Sequence, residues 1–101
     1  MEVSLPINWL SKKTFQNEGN PFIGLISNYT ETKTSKGIDR MLFVKHLVNG
    51  KEYQFNVYGD NLSVLIKGLG TDSDKWKDKK IQVMGITTGE DKVEKKITVL
   101  Q

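Results

Sequence analysis

Residues 41–48 and 51–58 are two runs rich in apolar, β-branched and aromatic residues, the second alternating Tyr53, Phe55 and Val57 with Gln54 and Asn56, and Asn49-Gly50 stands between the two runs. Alternation with a period of two is the pattern of a half-buried strand. Asn-Gly admits the positive φ of a type I′ turn, so the stretch predicts a β-hairpin. A two-residue loop would pair Val48 with Lys51, His46 with Tyr53, Val44 with Phe55 and Leu42 with Val57, on one weakly charged face. The opposite face then carries Lys45 with Gln54, Phe43 with Asn56 and Met41 with Tyr58. A slip of one residue would exchange the two faces.

The same pattern divides the rest of the chain. Residues 22–29 read as a first strand, with Gly24 expected at a bend or bulge. The polar residues 31–37 read as a flexible connection that exposes Lys33 and Lys36. After Tyr58 the apolar period lengthens through Leu62, Leu65, Ile66 and Leu69, which predicts a short amphipathic helix. Asp60 or Asn61 is expected to cap it, and Gly68 or Gly70 to end it. Residues 71–80 form a polar linker in which Trp76 is expected as a core plug. Residues 81–86 and 93–100 are two further strands joined by a turn. Lys95 breaks the pattern of the last one, because it shares parity with Val93, Ile97 and Val99. Residues 1–20 read as a lead-in packed on a domain of residues 21–101, with Leu5, Ile7, Trp9, Leu10 and Phe15 as anchors.

Three strands, a helix and two strands are the element order of the OB-fold. The expected class is therefore all-β: a five-stranded OB-fold barrel with one short helix between strands 3 and 4. An SH3-like barrel accommodates that helix less easily. The run from Asn61-Leu62 through Leu65, Leu69-Gly70, Asp72, Asp74 and Trp76 to Lys79-Lys80-Ile81 resembles the helix-to-strand junction of small archaeal, phage or viral OB-fold proteins that bind single-stranded DNA. Asp78 departs from that pattern, which has Gly before the lysine. The resemblance spans about residues 21 to 100, and it implies fold more than function.

Composition narrows the chemistry. With 37% hydrophobic and 27% charged residues among 101, the chain has the make-up of one globular domain. There is no cysteine, which excludes disulfides and thiolate chemistry. No apolar run is long enough to span a membrane, and the first residues do not read as a secretory signal, so no membrane partner and a cytoplasmic location are expected. His46 is the single histidine, and no spacing of acids and histidine fits a metal site or a catalytic set. The chain is accordingly expected not to be an enzyme, with no cofactor and no metal.

Single-stranded nucleic acid is held by flat side chains that stack on bases and by cations that track phosphates. On the second face of the hairpin, Phe43 and Tyr58 offer rings, Lys45 a cation, and Gln54 and Asn56 amides. Lys33, Lys36, Arg40 and Lys92 would flank them from the loops, with Tyr29 a lesser candidate. The expected function is binding of single-stranded DNA, with RNA left open, and with little sequence preference. The alternative is a homodimer or protein-interaction module using the same face.

Overall fold

In the computed structural model, where the anchors expected at Leu5 and Ile7 lie outside the described residues, residues 8–90 and 92–100 are described. They form a helix α1 (Lys12–Glu18), strands β1 (Phe22–Thr34), β2 (Gly37–His46) and β3 (Glu52–Asn56), a helix α2 (Gly59–Leu69), a single 3-10 turn (Ser73–Trp76), and strands β4 (Lys80–Thr87) and β5 (Val93–Val99). All five strands join one antiparallel sheet in the order β3-β2-β1-β4-β5.

That order corrects the expected fold class. β3 and β5 are the two edges of the sheet and do not pair with each other, so the sheet curls over its core without closing into an OB-type barrel. Among the described residues nothing bridges β3 to β5; the lead-in bonds Gln54 of β3, and the Asn61 side chain bonds β5.

The core is built from alternate positions. Phe22 and Ile26 of β1, Leu42 and Val44 of β2, Tyr53 and Phe55 of β3, Val57 just beyond it, Ile81 and Val83 of β4, and Ile97 of β5 are buried together. Leu65 of α2 and Trp76 close it from one side; Leu10 and Phe15 of the lead-in close it from another. Trp76 is the plug its neighbours predicted. Its indole N–H donates to the Gly70 carbonyl at 2.9 Å, and its ring meets Tyr29 edge-on at 4.8 Å.

The hairpin register differs from the expected one by two residues. Val44 lies opposite Tyr53, Leu42 opposite Phe55, and Met41 opposite Asn56. The connection is longer than Asn-Gly because the buried His46 ring takes part in it: Nδ1 accepts from the backbone N–H groups of both Val48 and Asn49. Only Gly50 of the pair has positive φ. A shift of two preserves parity, so the buried face is the expected one although the partners are not.

Other expectations change as well. β1 and β2 continue through the polar residues 31–37, and Thr34 lies opposite Gly37, so a flexible loop is replaced by a hairpin arm. The bulge falls between Ile26 and Asn28 rather than at Gly24. Gly24 answers a different need: a Cβ there would lie 2.4 Å from the Lys45 carbonyl oxygen. α2 has no side-chain cap, because Asn61 reaches across to β5. Asp78 has φ +65°, a left-handed conformation that glycine adopts freely and aspartate tolerates. The departure from the glycine pattern thus falls on the one described non-glycine position with positive φ.

Candidate functional site: the cleft between the two sheet edges

The face expected to hold nucleic acid is not assembled. Phe43 is half-buried opposite Gln54, and Tyr58 lies beyond the end of β3 with no β2 partner. Neither ring belongs to an aromatic pair among the described residues. The partner of Lys45 is Glu52, an acid rather than an amide. Arg40 meets the Glu31 carboxylate at 3.6 Å. Tyr29 packs on Trp76 and donates to Glu31 at 2.8 Å, and burial followed by that carboxylate pushes its hydroxyl up to about 12. Lys33 and Lys36 lie at the end of the arm, while Lys92 lies just before β5. With the sheet not closed and, among the described residues, no aromatic cluster on this face and the cations dispersed or matched by acids, the DNA-binding reading and the barrel assignment behind it are both withdrawn.

What the open sheet provides is a cleft between its edges. One hollow in it, of about 670 Å3, is bounded by Asn56 and Tyr58 on the β3 side and by Val93, Glu94 and Lys95 on the β5 side. Two adjoining hollows share Tyr58 and Lys95 and add Trp9, one toward Arg40 and the other toward Lys12 and Lys92. Trp9 is 50% exposed and Tyr58 74% exposed, so two large rings stand over one opening.

Backbone alternation shows what the edges offer. On β3, Gln54 faces outward: its N–H donates to the Asn8 carbonyl, and its carbonyl accepts from Leu10 N–H, both at 2.9 Å. The lead-in leaves this edge at Ser11 and enters α1. Asn56, two residues on, also turns its backbone outward, because successive residues alternate and Val57 N–H already returns to the Arg40 carbonyl. On β5, the Asn61 side-chain amide acts as a short piece of strand. Nδ2 donates to the Lys95 carbonyl at 2.7 Å, and Oδ1 accepts from Ile97 N–H at 2.9 Å. The outward groups that remain in the cleft are the backbone of Asn56, the backbone of Val93 and the N–H of Lys95. Among the described residues none of these has a partner across the gap.

Lys95 is half-buried on the core side of its strand, and burial lowers the pKa of its ammonium. Its mismatch with the apolar parity of β5 was a visible sign of a special position. Trp9 gave no such sign, since an anchoring tryptophan and an exposed one look alike in sequence. Among the described residues no group of three or more His, Asp or Glu side chains is arranged to hold a metal ion, and no helix is long and apolar enough to cross a membrane. Comparison of the chain with protein-family models, curated proteins and solved structures gave no match.

Proposed function

We propose that this protein is a non-catalytic binding module that takes an extended, acidic polypeptide segment into the cleft between β3 and β5. The observation that carries the reading is the pair of unfilled edges. Sheet edges bind extended chains by supplying backbone hydrogen bonds, and specificity comes from pockets for alternate side chains. Here each edge is already partly filled by a mimic of such a chain, the lead-in on β3 and the Asn61 amide on β5. A segment lying beside Asn56 and residues 93–95 would continue both. Trp9, Tyr58 and Ile86 would receive its apolar side chains, and aromatic anchors of this kind dominate binding energy at interfaces.

Charge selects the class of segment. The hollows are lined by Lys12, Arg40, Lys92, Lys95 and Lys96 against Asp39, Asp60 and Glu94. Lys95 is the only cation common to all three, and it loses hydration where it stands. A carboxylate beside it would favour its charged form against that burial, so an acid is favoured over a neutral side chain there.

The test is an NMR titration with a capped nine-residue peptide alternating Glu with Val and Tyr, alongside the same peptide with Lys in place of Glu. The expected result is movement of the Asn56, Tyr58, Val93 and Lys95 amides by the acidic peptide alone, abolished in Tyr58→Ala and reversed in preference by Lys95→Glu. Shifts confined to residues 43–45, or none at peptide concentrations of about 1 mM, the weak limit of specific recognition, would overturn the proposal.

A further inference from the structure

The second half of β1 offers a second, independent binding edge. β4 leaves β1 after Leu25, and the last backbone bonds on that side join Ile26 to Asp78 and Lys79. From there β1 continues to Thr34 with only β2 beside it. The direction of each residue follows from the ladder. Arg40 turns its carbonyl to Val57 N–H, away from β1, so the facing Glu31 turns its own backbone away from β2. Tyr29, Glu31 and Lys33 thus point N–H and C=O into the open, and no described residue bonds them there.

We infer that this edge pairs with the same edge of a second copy, antiparallel about a two-fold axis between the two Thr32 residues. Outward residues must meet outward residues, so only registers two residues apart are allowed. With Thr32 facing the partner's Thr32, Glu31 faces the partner's Lys33 and Lys33 faces the partner's Glu31. A shift of two in one direction puts Glu31 against the partner's Glu31; the opposite shift puts Lys33 against the partner's Lys33. Like charges directly opposite are destabilising and opposite charges stabilising, so one register stands out. On the other side of the ribbon the same register sets Thr30 against the partner's Thr34, a pairing of β-branched hydroxyls that strands favour.

This charge pattern changes the meaning of Lys33. A lysine on an exposed edge ordinarily discourages pairing. Here each lysine meets a glutamate, so the edge is blunted toward other strands and complementary to itself, as a two-fold interface requires. Glu31 already holds Arg40 and Tyr29, which fixes its carboxylate before any partner arrives.

Sedimentation equilibrium of the full chain at low salt, up to about 1 mM, tests the inference at the weak end of measurable association. A monomer–dimer equilibrium is expected. Glu31→Lys should weaken it about tenfold or more, because two attractive pairs become two repulsive ones. Lys33→Glu should do the same by the reciprocal route. The exchange Glu31→Lys with Lys33→Glu should bring the dissociation constant back to within about threefold of the parent, because the register again faces each charge with its opposite. A chain that stays monomeric throughout overturns the inference. So does a dimer indifferent to either single change, or one the double exchange fails to restore, with circular dichroism confirming that each variant is folded.

Discussion

The two halves of β1 run along the same partner strand and live in different surroundings. Residues 22–26 have β4 or the turn before it on one side and, from Gly24 onward, β2 on the other, and Phe22 and Ile26 are almost wholly buried. Residues 30–34 have β2 alone and are exposed on both faces. The bulge between Ile26 and Asn28 separates them, and Tyr29 sits at the boundary with its ring against Trp76. The first half is held by what it excludes from water. The second is held by a hairpin ladder and its turn, and its side chains stay in contact with water. A continuous strand can therefore be scaffold at one end and contact surface at the other.

Substitutions should separate the halves sharply. Phe22→Ala empties a site between His46 and Tyr53, whose rings lie 4.9 and 5.4 Å away, and should cost about 3–5 kcal/mol in urea unfolding. A loss under about 1 kcal/mol there would remove the distinction. Gly24→Ala forces a methyl against the Lys45 carbonyl, and a loss of about 1–3 kcal/mol is expected from the overpacking. Asp78→Gly acts at the loop that bonds Ile26 and should stabilise by up to about 1 kcal/mol, since it relieves the left-handed residue. Unchanged or lower stability would show that the aspartate side chain compensates.

Tyr29→Phe tests the boundary. The hydroxyl titrates near 12 rather than 10, first because it is buried and then because Glu31 accepts its proton in a hydrogen bond. The folded state thus keeps a proton the unfolded state has lost, so this contribution is whole below pH 10 and disappears as pH rises toward 12. The stability advantage of the parent over Tyr29→Phe should shrink across that window, and the tyrosinate absorbance should lose one strongly alkaline step in the variant. A step that survives belongs to Tyr53, whose hydroxyl is also raised, by burial and by Glu18. The smallest effect is expected at Thr32→Ala in dilute solution, within about 0.5 kcal/mol, because nothing packs on an exposed arm.

What could be read from sequence follows the same division. The faces of the hairpin were legible because alternation survives a two-residue change of register. The register itself was not, because it depends on a buried histidine whose ring bonds the turn backbone. The arm was misread as a loop because threonine, lysine and glutamate with no apolar partner look like solvated chain; only pairing with β2 makes them a strand. Trp76 was legible as a plug, and Lys95 as an anomaly. The opening between the edges was not, since five strands and a helix fit a closed barrel as well as an open sheet. Its position is set by Asn61, a residue that reads as a helix cap and serves as a substitute for strand.

The lead-in carries one further consequence. Its contacts lie far along the chain: Asn8 and Leu10 bond Gln54, Phe15 packs on Gly85, and Lys12 donates to the Glu90 carbonyl. During synthesis these residues leave the ribosome before β4 and find their last partners only when β4 and the turn after it have emerged. The lead-in is thus made before the strands and is among the last segments to be secured, and until then Leu10 and Phe15 are apolar side chains in water, open to whatever holds nascent chains.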